Sequence, residues 1–314
     1  MERIVGIDEA GYSPLLGPLV VSAAAFEAAS VPSDWWAALG IPKAGGRRGN
    51  TALPRIDDSK KLYKPSDGLQ PLEMAVLSFL AACGKRPASL RQLLDCVGAA
   101  PDMDGHPWYR GADVSLPAAC DPAEIERSAA ALKAALGQAG VRFIGFHSEP
   151  ILEGEFNRRL LRCDNKATLL LNSTLGLVDG FAAPGAATQY LVDKQGGRDF
   201  YGDPISQFFF GCALQHFTEG NDLSTYRVDH AGRSLHLSFC VRGDASHLPI
   251  ALASMLSKYI RELFMTLLNR YWHAIEPSLP HTSGYRTDGW KFVRALDGMA
   301  EGRSVRREML IRRK

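Results

Sequence analysis

The sequence predicts an α/β fold with a mixed sheet. Two apolar runs, 3–7 and 17–26, are joined by a Gly/Pro-rich turn and read as paired strands. Two later runs, "TQYLVD" (188–193) and "RSLHLSFCVRG" (233–243), also have strand character. Helical spacing lies before, between and after them. An order of strands, helix, strand, strand, helix belongs to an α/β chain.

The first strand runs straight into an acid pair, Asp8-Glu9, and then Gly11-Tyr12-Ser13. Residues 38–58 are rich in Gly, Pro and Arg and read as a loop leading into "DSKKL", 58–62. Leu69, Leu72, Val76, Phe79 and Leu80 share one helical face, so a helix is expected over 69–83. From about 98 to 121 the chain is irregular and reads as part of an insertion. Asp121-Pro122 supplies an N-cap and first-turn proline for a helix to about 139, ended by Gly140. "VRFIGF" (141–146) is a strand candidate. A long helix follows over about 152–182, with a possible break near Cys163. Residues 194–205 are turn-rich. A helix begins near Pro249 and runs to about Trp272, and a short one is expected around 288–298 before a basic end.

The chain has 314 residues, enough for one large domain or two small ones. It is 46% apolar and 22% charged, as soluble globular proteins are, with a net charge of only +2. Bulk charge therefore calls for no nucleic-acid partner, and any basic surface has to come from local clustering. Six scattered cysteines include no C-x-x-C pair, which predicts neither a zinc site nor a disulfide framework and fits a reducing cytoplasm. No basic-then-apolar leader precedes the first strand, so no signal peptide is expected. The apolar runs are too short and interrupted to cross a membrane.

The chemistry is concentrated at strand ends. Asp8-Glu9, Asp193 and Asp244 each follow a strand candidate. Acids after strands often serve only as caps and turn residues. Three central strands out of three ending this way suggest a second role. Hard divalent cations take oxygen ligands, and a few carboxylates meeting at one end of a sheet make a site for Mg²⁺ or Mn²⁺. Two such ions about 3.5–4 Å apart clamp an in-line phosphoryl displacement. Neighbours on a strand point to opposite faces, so Asp8 and Glu9 reach one ion only if the backbone turns between them. Ser59, Lys60 and Lys61 offer a hydroxyl and two ammonium groups to phosphate oxygens, or simply form a solvated loop. Tyr285 in "SGYRTD" is either a stacking surface or a turn tyrosine. The tail, with Arg303, Arg306, Arg307, Arg312, Arg313 and Lys314, either tracks a phosphate backbone or is a solvated end. Lys194 and Arg198 in "KQGGRDFY" are either substrate contacts or parts of a Gly-Gly turn.

These blocks, in this order, resemble ribonuclease HII, the type 2 ribonucleases H. "GIDEAG…GPLVVSA" is similar to that family's first hairpin, and "DSKKL" to its second block. "NKATLLLNSTLGL" (165–177) resembles its central helix, and "LVD" (191–193) the strand with its third acid. "RGDASHLPIALASMLSKYIRELFM" (242–265) resembles the block around its fourth acid, and "SGYRTD" its tyrosine motif. Together they cover about half of the chain.

The resemblance implies a ribonuclease H-like fold: a mixed five-stranded sheet flanked by helices, with insertions and a C-terminal helical segment. It implies a catalytic domain over 1–272 with an insertion at about 85–125. Residues 273–314 are then a C-terminal segment that packs on this domain and contacts substrate. Asp8, Glu9, Asp193 and Asp244 are implied as ligands of two metal ions, Mg²⁺ or Mn²⁺. The activity implied is cleavage of the RNA strand of RNA–DNA hybrids, or of ribonucleotides embedded in DNA, leaving 5′-phosphate and 3′-hydroxyl ends. Gly11, Tyr12, Ser13, Ser59, Lys60, Lys61 and Tyr285 are implied as substrate-binding residues. A cytoplasmic monomer without membrane contact is expected.

The sequence departs from the family at Gly11-Tyr12-Ser13, where the usual motif is Gly-Arg-Gly. The arginine charge is absent, and a Cβ occupies the third place. The 2′-hydroxyl separates RNA from DNA, so ribose readout is where this chain is expected to differ. Glu262 stands where the family often has Asp. The excess length falls within about 27–56, 85–125 and 195–233. Two alternatives stay open: a nuclease of the same fold with altered substrate choice, and a nucleic-acid-binding protein that does not cleave.

Overall fold

The structure is a computed structural model that describes residues 1–45, 52–63, 68–163, 165–181, 188–195 and 198–313. Part of the 38–58 loop, Gly196-Gly197 and Lys314 of the tail lie outside the described residues.

In chain order the elements begin with strands β1 (Glu2–Ala10) and β2 (Leu19–Ala28). Helices α1 (Trp35–Leu39), α2 (Ser59–Leu62), α3 (Gln70–Ala82), α4 (Leu90–Cys96) and α5 (Pro122–Gln138) follow. Next come β3 (Val141–Ile151), α6 (Glu153–Cys163), α7 (Lys166–Phe181), β4 (Thr188–Asp193) and α8 (Gly202–Phe208). Strands β5 (Ala213–Glu219), β6 (Leu223–His230) and β7 (Arg233–Cys240) precede α9 (Gly243–Ser246) and α10 (Leu248–Ile275). The chain closes with α11 (Arg286–Asp297), α12 (Ala300–Ser304) and α13 (Arg307–Leu310).

Several boundaries follow from local chemistry. Asp121 caps α5 by accepting from the Ala123 N–H, with Pro122 in the first turn. Gly140, at φ 63°, turns the chain into β3. The expected break near Cys163 separates α6 from α7, and the Asn165 side chain accepts from the Thr168 N–H at 2.8 Å.

The sheet order is β3-β2-β1-β4-β7-β6-β5. β1, β4 and β7 are mutually parallel, and every other pairing is antiparallel. The mixed sheet flanked by helices is as expected, but among the described residues it has seven strands instead of five. The two additional strands, β5 and β6, come from the region read as excess length and extend the sheet beyond β7. Side chains of β1 alternate between two cores. Ile4 joins Val20, Phe26 and residues of α3, α5 and α10, whereas Val5 and Ile7 join Val21 and residues of α6, α7 and α8. The segment read as an insertion belongs to the first core, through Leu90, Leu94, Trp108 and Tyr109. All six cysteines are free. No helix of the described residues is long and apolar enough to cross a membrane.

Candidate active site

Ligands of open α/β sheets bind beyond the carboxyl ends of parallel strands. Here β1 carries Asp8 and Glu9, β4 ends on Asp193, and the chain leaving β7 soon reaches Asp244. The four carboxylates line one cleft of about 620 Å³, together with Gly11, Tyr12, Ser13, Ser59, Lys60 and Tyr285.

No turn separates Asp8 from Glu9, contrary to the sequence expectation. β1 stays paired to β2 through Ala10, while its ladder with β4 stops at Ile7↔Val192. The side of β1 towards β4 is therefore open at the acid pair, and both residues border the cleft from one strand end. Asp8 accepts from the Glu9 N–H at 2.7 Å, and Ser257 donates to the Asp8 carbonyl at 3.0 Å. Asp193 Oδ1 accepts from the Gly243 N–H at 2.7 Å, which ties the turn carrying Asp244 to the end of β4.

Burial pushes the Asp8 carboxyl up, and like-charge repulsion from Glu9 and Asp193 adds to it. Burial and then Asp193 raise Glu9 to about 7. Burial raises Asp193 to about 6, with the Gly243 N–H opposing the rise and Asp244 adding to it. Burial and then Asp58 raise Asp244. Burial works against the Lys60 charge, but Asp58, Asp8, Asp244 and Asp193 together hold its pKa above the usual lysine value. The cleft thus holds mutually repelling carboxylates faced by Lys60. An all-oxygen donor set short of positive charge fits hard divalent cations by its chemistry. The fit stops at donor type: among the described residues no three His, Cys, Asp or Glu side chains form a ready-made ligand set.

Some predicted residues sit elsewhere. Lys61 is absent from the cleft lining: its side chain is 53% exposed and pairs with Asp57 at 3.0 Å. Lys194 is no free cation either. Its ammonium is buried, bonded to Asp199 at 2.7 Å and to the carbonyls of Gly220 and Asn221, and it ties the β5–β6 turn to the end of β4. In the tail, Arg307 pairs with Asp297, and Arg312 is buried at 2% exposure.

The cleft also contains residues that the sequence reading passed over. Tyr63, Ser254, Lys258, His281 and Ser283 line it, beside Glu262, which the sequence marked only as a departure from the usual Asp. Glu262 accepts from Tyr63 Oη at 2.9 Å, Lys258 Nζ at 2.7 Å and Arg261 NH1 at 2.8 Å. Ser254, Lys258 and Glu262 recur every four residues along α10. That stripe is legible as a polar face.

No protein-family profile matches the chain, and no curated protein matches it in sequence. Among solved structures the chain is similar to ribonuclease H2 from Pyrococcus horikoshii OT3, at 12% identity and a TM-score of 0.43, over 98% of this chain and 92% of that one. It is similar to RNase HII of the PCNA:RNase HII complex from Archaeoglobus fulgidus, at 12% identity and a TM-score of 0.43, over 99% and 94%. Bst-RNase HIII in complex with Mn²⁺ gives 16% identity and a TM-score of 0.43, over 99% of this chain and 66% of that one. At these values the functional reading rests on the residues themselves.

Proposed function

We propose that the chain is a metal-dependent endonuclease acting on the RNA strand of RNA–DNA hybrids, or on ribonucleotides embedded in DNA. It leaves 5′-phosphate and 3′-hydroxyl ends. One observation carries this reading: four carboxylates, three from the ends of the parallel strands β1 and β4 and one from α9 just beyond β7, line a single cleft with Lys60 and Tyr285. The order of the sequence blocks that resemble ribonuclease HII supports it.

In this reading Asp8, Glu9, Asp193 and Asp244 hold divalent ions, Mg²⁺ or Mn²⁺. When bound, such ions activate water and stabilise the leaving oxygen of a phosphodiester. The chain's other residues bind and orient. Lys60 receives a backbone phosphate, and Ser59, held to Ser254 at 3.0 Å, fixes the turn from which Lys60 projects. Tyr285, 46% exposed, offers its ring to a sugar or base.

Ribose readout falls to Gly11-Tyr12-Ser13. Tyr12 packs against the second core, which fixes its ring, and Ser13 is exposed at the cleft. A serine hydroxyl both donates and accepts, as does the 2′-hydroxyl it would meet. The same arrangement favours a second reading, a nuclease of this fold with altered substrate choice, because Tyr12 brings no charge.

Cleavage assays separate the two. Duplexes that are RNA–DNA hybrid, DNA with one ribonucleotide, and plain DNA are incubated with Mg²⁺ and with Mn²⁺. Cleavage at ribonucleotides supports the first reading. Cleavage of plain DNA without cleavage of hybrid sinks it and supports the second.

A further inference from the structure

The loop after the acid pair divides into two parts. Gly11, Tyr12 and Ser13 face the cleft, and Pro14 borders it. Residues 14–17 are buried, and their backbone groups are taken up by distant parts of the chain. The N–H groups of Leu15 and Leu16 both donate to the Gly284 carbonyl, at 2.8 and 3.1 Å. The Gly17 N–H donates to Glu153 Oε1 at 3.0 Å. On the carbonyl side, Leu16 accepts from Arg261 NH2 at 3.4 Å, Leu15 accepts from the backbone N–H of Arg312 at 3.0 Å, and Pro14 accepts from the Arg312 guanidinium.

Arg312 is therefore no part of a solvated basic tail. Its guanidinium lies 4.7 Å from the centre of the Phe156 ring. The segment that delivers it is latched to α6 by Asn157. The Asn157 amide donates to the carbonyls of Glu308 and Ile311 at 2.7 and 2.8 Å and accepts from the Arg313 N–H at 2.7 Å. Burying a guanidinium is costly, and here Nε and NH1 find no partner among the described residues. Burial and then repulsion from Arg261 lower its pKa to about 9, with Glu153 opposing. An apolar side chain would avoid that cost but would remove the cation that favours the buried Glu153 carboxylate. What the arginine further adds is the grip on Pro14, next to the exposed Ser13.

We propose that Arg312 is a positioning residue: through residues 14–17 the segment 307–313 sets how Tyr12 and Ser13 present themselves to substrate. The role in substrate binding rests on the nuclease reading above; the positioning of the loop does not.

Two readouts test this on the full chain, with melting as a control for folding. The first is amide hydrogen exchange. Arg312→Met keeps the stem and removes the fork, so exchange at Leu15, Leu16 and Gly17 should rise about tenfold or more while β1 and β4 stay unchanged. The second is kinetics on the RNA–DNA hybrid: KM should rise about five- to twentyfold with kcat within about twofold, and Arg312→Lys should recover part of the loss. If Arg312→Met does not fold, Asn157→Ala loosens the latch without touching the arginine and should move both readouts the same way, by less. Unchanged loop exchange in a folded variant overturns the proposal, and so does an unchanged KM with reduced kcat. A wild-type chain that neither binds nor cleaves hybrid removes the nuclease reading and the substrate half of this proposal with it; the exchange data still decide the loop.

Discussion

Lys61 bonds Asp57 Oδ1 at 3.0 Å and points away from the cleft that its neighbour Lys60 lines. The difference comes from a single turn of helix. Asp58 caps α2 by accepting from the Lys60 N–H at 2.9 Å, and the turn then sends the two lysines in different directions.

Lys60→Ala and Lys61→Ala should therefore separate cleanly. The first should raise KM for a hybrid substrate about tenfold, the loss of one charge-assisted phosphate contact. The second should leave kinetics unchanged and cost about 1 kcal/mol of stability, since Lys61 is exposed and its buried partner Asp57 still accepts from the N–H groups of Ala44 and Asp58. Steady-state kinetics and thermal melting on the two variants check this. Equal effects of the two on KM would contradict the placement.

Glu262 supplies a pH test. Burial alone would raise its carboxyl, but Arg261 and Lys258 outweigh it and hold the pKa below the usual range. A lowered folded-state pKa gives stability that is present above the unfolded value of 4.5 and is lost as pH falls through the folded value. Glu262→Gln should destabilise by about 3 kcal/mol at neutral pH, because it leaves the buried Arg261 and the half-buried Lys258 underpaired. That difference should shrink as the pH drops below 4.5. Urea denaturation of both proteins at pH 7 and at about pH 4 measures it. A difference that does not change with pH would exclude this charge network.

Gly11 tests the substrate loop. Its φ is 89°, and a Cβ there would stand 2.4 Å from the Pro18 carbonyl oxygen and 2.9 Å from the Arg261 side chain. Gly11→Ala should cost about 2 kcal/mol or more, through strain and displacement of the loop. Melting should show the loss, and cleavage should fall with it. A variant of wild-type stability would mean that this backbone is not held as described.

Much of this was legible in the sequence, for physical reasons. The acid pair, Asp193 and Asp244 stand out because apolar strand runs end at them. The N-cap at Asp121 and the break at Cys163 are local signals. β5 and β6 were not legible. β5 lies at the sheet edge with most side chains exposed, so the burial that creates a readable alternation is missing. Buried Arg312 was hidden for the opposite reason: composition counts it with the solvated arginines around it, and only the folded chain places it beneath Pro14. The clefts' polar stripe on α10 lay in plain view but needed the acids of β1 and β4 beside it to acquire meaning.

The central claim is that the carboxylates at the ends of β1 and β4 and in α9 beyond β7 act together on a ribonucleotide strand. The most direct test is the rate of RNA–DNA hybrid cleavage by the wild-type chain beside Asp193→Asn, in Mg²⁺ and in Mn²⁺. Asp193→Asn keeps the shape and an oxygen acceptor for the Gly243 N–H but removes the charge. The expected result is cleavage by the wild type that leaves 5′-phosphate and 3′-hydroxyl ends, with the variant at least about a hundredfold slower and equally stable. Equal rates for the two proteins, or no metal-dependent cleavage by the wild type, would contradict the account.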